Sequence, residues 1–417
     1  MAQRTVPVSS RLGDVRYEIR GALSRRAREL EAEGRQIVRL NIGNPGLFGF
    51  AVPAHLRETI AEHLHQSEAY CHQQGLQQAR EAIAEREIAR GAFGAHADNV
   101  FIGNGVSELI DLTLRALLNS GEEVLLPSPD YPLWSAATVL NGGRARYYPC
   151  PASRSHLPDP DEIEALITPR TRALVLINPN NPTGAVYPRE LLQALAHIAE
   201  KHRLLLLSDE IYDGILYDDA EFHPLAALAG ETPCITYGGL SKMHRACGYR
   251  VGWISLSGSP AKMAEFRAAL DLLSALRLCA NVPSQWAVVP ALQGPDTISP
   301  LVRDGGRLHA ARRAVIDGVA RSEFLDVVAP QGALYAFPSV RTEHLGPFDD
   351  EDFALELLQS ESVLIVPGTG FNIRERNHFR LTLLPQPAEI DDVFVRIDRC
   401  LARIAERSTA ARARHVA

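Results

Sequence analysis

Between residues 100 and 255 the chain alternates short apolar runs with longer amphipathic stretches. The runs fall at 123–126, 144–148, 173–177, 204–208, 233–237 and 250–255, and helical periodicity fills 106–118, 161–167 and 189–202. Runs such as ALVLI at 173–177 and LLLL at 204–207 are apolar on both faces of a strand. They therefore belong inside a sheet covered above and below. Strands separated by helices connect through right-handed crossovers, which makes the sheet parallel or mixed. After about residue 300 the pattern changes: helices at 307–320, 351–360 and 387–406 flank short strand candidates at 333–337, 363–366 and 378–383. Upstream, Leu23, Ala27 and Leu30 recur at helical spacing within 14–35, VRLNIGNPG enters a strand and a Gly/Pro turn, and 52–66 and 76–90 read as helices. The terminal STAARARHVA reads as a frayed basic tail. The expected fold class is α/β: a large domain with a mostly parallel central sheet flanked by helices, plus a smaller α+β domain. The expected boundaries are 1–50 for an N-terminal arm and part of the small domain, 51–300 for the large domain and 301–417 for the rest of the small one.

Composition narrows the function. With 43 basic and 50 acidic residues the chain has no basic excess to cover nucleic-acid phosphates. The six cysteines, at 71, 150, 234, 247, 279 and 400, form no CxxC pair and read as free thiols in a reducing compartment. No apolar run approaches the roughly 20 residues of a membrane helix, and no apolar signal core opens the chain, so a cytoplasmic protein is expected. Only three lysines occur, Lys201, Lys242 and Lys262, so each can be weighed separately.

Lys201 and Lys262 sit at the polar ends of helices, but Lys242 follows the apolar strand CITYGG in GGLSKMHRACGYR. A lysine there is either an exposed loop residue or an amine with a chemical role, such as a Schiff base with a carbonyl cofactor. Asp209 ends the apolar LLLLSD, at the carboxyl edge where α/β sheets bind ligands. It can face a buried cation or simply cap a helix. NPNNPTG at 178–184 fixes a rigid turn that presents the Asn181 amide at the same edge. GNGVSE at 103–108 opens a helix whose N-terminus, with Ser107, suits an anion. Arg380, inside the apolar HFRLTLL, needs an anionic partner if buried. His63 and His65 alternate and would not share a helix face, which argues against a metal.

Together these residues carry a resemblance. NPNNPTG, SDEIY, the LSK lysine with an arginine eight residues on, and the late FRL arginine occur in the order found in pyridoxal-phosphate-dependent aminotransferases of the aspartate aminotransferase superfamily, fold type I. The likeness runs from about Arg16 to residue 400. Within it the chain most resembles the bacterial glutamate–pyruvate (alanine) aminotransferases, through YEIRG, LNIGNPGLFGF, FIGNGVSELI, PDYPLW, INPNNPTGAVY, DEIYDGILYDD and LRLCANVP.

The resemblance implies pyridoxal 5′-phosphate as cofactor and a homodimer with shared active sites. It implies Lys242 as the Schiff-base lysine and proton shuttle, and Asp209 as partner of the pyridinium nitrogen. Asn181 and Tyr212 would bond the ring's 3-oxygen, and Tyr131 would stack on the ring. Gly105, Val106, Ser107 and Arg250 would hold the phosphate, with Tyr70 reaching across from the second subunit. Arg380 would grip the substrate α-carboxylate, helped by Gly43 and Asn181. Gly239 stands where many relatives have serine, which leaves Ser241 as the nearby hydroxyl and makes the phosphate contacts less complete. Arg20, beside Tyr17, is the candidate cation for the second carboxylate of glutamate. The implied reaction is ping-pong transfer of an amino group between L-alanine and 2-oxoglutarate. Transamination of aromatic or branched-chain amino acids, a pyridoxal-phosphate-dependent C–S lyase and a non-catalytic ligand-sensing regulator are the alternatives.

Overall fold

A computed structural model describes residues 6–15, 21–343 and 345–416. Tyr17 and Arg20 lie outside the described residues. Seven strands form the central sheet: β1 (Val100–Gly103), β2 (Glu123–Ser128), β3 (Arg144–Pro149), β4 (Thr171–Ile177), β5 (Leu205–Asp209), β6 (Cys234–Gly239) and β7 (Gly252–Ser257). Their order is β1-β7-β6-β5-β4-β2-β3, and only β7 runs antiparallel to its neighbours. The chain thus has the expected α/β architecture. The sequence reading missed β1, a four-residue strand too short to show a pattern.

Both faces of the sheet are covered, for the reason its sequence suggests. Along β4, Leu174 and Leu176 enter one apolar core with Leu192, Leu195 and Ile198 of the helix Arg189–His202. Ala173, Val175 and Ile177 enter the opposite core, with Leu109, Ile110 and Leu114 of the helix Val106–Leu117 and Leu270 of the helix Pro260–Leu276. The helix Arg189–His202 stops where Arg203 turns left-handed, at φ +55°.

The C-terminal elements build a separate core. Leu308, Ala311 and Val315 of the helix Arg307–Arg321, Phe353 and Leu357 of Asp350–Glu361, and Ile390, Val393 and Ile397 of Pro387–Val416 pack around Phe379 and Leu381. Leu40 and Phe50 from the N-terminal region join them, and Val38–Arg39 pairs in parallel with Val363–Leu364. The Asp349 carboxylate accepts from the Glu351 and Asp352 N–H groups and so caps its helix. Several boundaries differ from expectation. The helix expected over 14–35 is Ala22–Ala32 among the described residues, closing on Ala27 and Leu30. The strand expected over 333–337 shrinks to Tyr335–Ala336. The last helix does not fray at residue 406 but continues to Val416.

Candidate active site

The carboxyl ends of β4, β5 and β6 meet the C-terminal elements around a cavity of about 520 Å³. Its lining includes Gly43, Val106, Ser107, Tyr131, Asn181, Asp209, Tyr212, Ser241, Lys242, Arg250 and Arg380. These residues span more than 300 positions of sequence, and strand ends deliver most of them. β5 ends on Asp209, β6 leads into Ser241 and Lys242, and β4 leads into the turn that holds Asn181. A roomier hollow of about 860 Å³ lies at the opposite end of the sheet, but its Glu200, Arg203, Lys262 and Glu265 are exposed surface groups.

Lys242 is half-buried; its Nζ donates to the Gly43 carbonyl at 2.7 Å and lies 3.9 Å from Cys247 Sγ. Asp209 is buried. Its Oδ2 accepts from Trp134 Nε1 at 3.2 Å, and the Ile211 N–H reaches its Oδ1 at 3.4 Å. Burial pushes the Asp209 carboxyl up to about 6, against the Trp134 and Ile211 hydrogen bonds and the charge of Lys242.

Arg380 is 1% exposed and does not lie on an open strand face. Its Nη1 donates to Asn181 Oδ1 at 3.0 Å and its Nη2 to the Asn41 carbonyl at 2.5 Å. The guanidinium is sandwiched between Tyr335, at 4.3 Å, and Phe371, at 4.8 Å. Two aromatic faces and two acceptors fix its plane, the arrangement that suits edge-on recognition of a carboxylate.

The opposite side of the cavity is an anion cradle. Gly105 caps the helix Val106–Leu117 at φ +85°, and a side chain there would collide with the Arg250 guanidinium. Arg250 donates to the Cys247 carbonyl at 3.0 Å and the Asn104 carbonyl at 3.2 Å, while Ser107 is exposed beside it. Beneath the cradle three glycines stand in register across the sheet, Gly103 opposite Gly252 and Gly252 opposite Gly239. A Cβ at Gly239 would come within 2.9 Å of the Val251 carbonyl, so the fold leaves little space for a serine there.

A model of the family described as aminotransferase class I and II matches residues 35–397. This chain belongs to that family. It is 44% identical over 391 residues to the glutamate-pyruvate aminotransferase AlaA of Escherichia coli K12, covering 94% of this chain and 96% of that one. It is 46% identical over 400 residues to the alanine aminotransferase of Mycobacterium tuberculosis H37Rv, covering 96% and 93%. The crystal structure of an aminotransferase from Escherichia coli, 44% identical, matches at a TM-score of 0.94 over 96% of this chain and 99% of that one.

The aminotransferase cavity omits some expected residues and adds others. Tyr70 is 77% exposed and does not line its own chain's cavity. Gly105 lies behind Arg250 rather than on the lining. Asn181 meets Arg380, so one side chain serves the carboxylate side while facing the cavity. Sequence reasoning missed Trp134, three residues after Tyr131 in YPLW, whose indole N–H meets Asp209. It also missed Cys247 and Tyr335, both in the lining.

Proposed function

We propose that this aminotransferase uses pyridoxal 5′-phosphate to move an amino group between L-alanine and 2-oxoglutarate, yielding pyruvate and glutamate in a ping-pong cycle. The observation that carries the reading is the meeting of Lys242, Asp209, Asn181, Tyr212 and Arg380 around one cavity, beside an anion cradle kept open by glycines. The donor set fits the cofactor: an amine, a buried carboxylate, a hydroxyl, and N–H donors at a helix N-terminus beside an arginine. When bound, pyridoxal phosphate supplies a carbonyl that condenses with amines and a ring that draws off the electron pair released at the substrate Cα.

The chain's own residues do the rest. Lys242 takes the proton from Cα and returns it on the other side of the transfer, with the Gly43 carbonyl orienting its amine. Asp209, whose charged form the Trp134 N–H supports, would pair with the ring nitrogen. Tyr212 and Asn181 would bond the ring oxygen, Tyr131 would cover the ring, and Val106, Ser107, Ser241 and Arg250 would hold the phosphate, with Gly105 leaving room for Arg250 and Tyr70 of a second copy completing the set. Arg380 grips the α-carboxylate of either substrate. For the second carboxylate of glutamate the proposed cation is Arg20, in the same YEIRG segment of the sequence as Tyr17. The names of the two relatives above support alanine as donor.

A half-reaction screen tests this. The purified yellow protein is mixed with single amino acids and its visible spectrum recorded. L-Alanine and L-glutamate should each bleach the band, and pyruvate or 2-oxoglutarate should restore it. Bleaching by tyrosine or leucine, with none by alanine, would overturn the substrate assignment.

A further inference from the structure

We infer that Tyr335 is a positioning residue that joins the two halves of this site, its ring supporting Arg380 and its hydroxyl acting on Tyr212. The inference rests on the pyridoxal-phosphate reading above. Tyr335 lies on the short strand Tyr335–Ala336, antiparallel to Phe379–Thr382 with Tyr335 opposite Thr382. Arg380, two residues from Thr382, is therefore its diagonal neighbour on the same face. That register puts the Arg380 guanidinium 4.3 Å from the Tyr335 ring centroid. The other end of the ring points into the site. The Tyr335 and Tyr212 hydroxyls are 3.2 Å apart and their rings meet edge to face, at 5.9 Å and 82°. The same hydroxyl fills the space that a side chain at residue 43 would need, so Gly43, whose carbonyl holds Lys242, is fitted to it as well.

A phenylalanine would support Arg380 and fill the core equally well. The hydroxyl is the feature that needs explaining, because Tyr335 is buried and a buried O–H must be matched. The two tyrosines differ in character. Burial, then the neighbouring Tyr335, raises Tyr212 well above the usual tyrosine range. Burial also works against ionisation of Tyr335, but the charges of Lys242 and Arg380, with the hydrogen bond from Tyr212, outweigh it and hold Tyr335 below that range. In the structure the Tyr212 hydroxyl donates to the Tyr335 oxygen. With an acceptor in the cavity, Tyr212 would turn its proton from Tyr335 towards that acceptor, and the Tyr335 hydroxyl, 3.2 Å away, would donate to the Tyr212 oxygen in its place. Hydrogen bonds in such a chain strengthen one another. The ring oxygen of the cofactor is then held in its anionic form more firmly than Tyr212 alone would hold it.

The test uses the holoenzyme and separates ring from hydroxyl. Tyr335→Phe keeps the ring and Tyr335→Leu removes both; near-ultraviolet circular dichroism checks the fold. The pH midpoint of the cofactor's visible band is the readout, together with KM for each amino donor the wild type accepts. Tyr335→Phe should raise the proton affinity reported by the band about three- to tenfold, the scale of one hydrogen bond. Its KM should stay within about twofold of wild type, while Tyr335→Leu raises KM about tenfold, as expected when a cation loses its aromatic support. Tyr212→Phe should move the midpoint at least as far, and adding Tyr335→Phe to it should move it no further. A wild-type midpoint in Tyr335→Phe overturns the inference, and so does a shift that persists undiminished in the Tyr212→Phe background. A KM in Tyr335→Phe as high as in Tyr335→Leu overturns the assignment of the ring to Arg380. The band titration does not depend on which amino acid is the donor, so failure of alanine in the half-reaction screen leaves it standing. Absence of any visible band in the wild type would defeat the cofactor reading and this inference with it.

Discussion

Asp209 holds a carboxylate where burial disfavours one, and the sign of that conflict is testable. Its ordinary value is 3.8, and burial moves it to about 6 in the fold. A carboxyl whose folded value is raised weakens the fold once it ionises. The cost is absent below pH 4, grows through pH 6 and is complete above it. Without cofactor, Asp209→Asn should therefore melt later than wild type at pH 8 and no later at pH 4. A two-unit shift bounds the gain at about 3 kcal/mol. The same variant should lose about 10²–10³ in kcat, the scale for one preorganised electrostatic group. Equal melting at pH 8, or near-normal turnover, would contradict this view of the residue. Lys242, Asp209 and Arg380 were legible in the sequence because each is a charge set in apolar surroundings, and Asn181 because it sits in a turn dense with special residues. Tyr335 and Trp134 were not, because an aromatic in GALYAF or YPLW is satisfied by burial alone. Only the packed structure shows that their polar ends meet Tyr212 and Asp209.

At the scale of elements, the middle of the sheet and its flanking helices were readable because inner strands such as Thr171–Ile177 and Leu205–Asp209 are apolar on both faces and the helix Arg189–His202 on one. The short strands of the C-terminal region were legible only in outline. Pairs such as Tyr335–Ala336 and Val366–Pro367 are two residues long, set by partners far away in sequence rather than by a local period. The glycine row across β1, β7 and β6 is an element-level device: no side chain rises from it into the cradle. Gly252→Ala would press a methyl against Gly105 and the Val106 N–H. We expect it to lower stability by about 1–3 kcal/mol through overpacking. It should also weaken pyridoxal phosphate binding at least about tenfold, since the N–H donors it displaces are those proposed to hold the phosphate. Unchanged cofactor affinity, read by fluorescence titration, would show that the row does not shape the cradle.

Across the whole molecule, the cavity exists only where the sheet and the C-terminal elements are held together. Asn372 donates to Asp130 Oδ1 at 2.8 Å, Ser128 Oγ donates to the Asn372 carbonyl at 2.8 Å, and the Asp130 N–H donates to the Phe371 carbonyl at 3.0 Å. These ties fix the residue before Tyr131 against the loop that carries Phe371, and Phe371 covers Arg380. Among the described residues no helix is long and apolar enough to cross a membrane. Tyr70 is exposed, and the shared site proposed above has it serve the cavity of a second copy. A mixture of Tyr70→Phe and Lys242→Ala chains, each nearly inactive alone, should regain part of the wild-type activity as subunits exchange. Heterodimers that form without activity would count against a shared site.

The most direct measurement follows the nitrogen atom. Purified holoenzyme is given ¹⁵N-labelled L-alanine and 2-oxoglutarate, and the products are read by mass spectrometry. Labelled glutamate and pyruvate should appear in equal amounts, with no label in free ammonium and no reaction when Lys242→Ala replaces the wild type. Labelled ammonium in place of labelled glutamate, or unreacted alanine beside rapid turnover of another amino donor, would contradict alanine–2-oxoglutarate transamination.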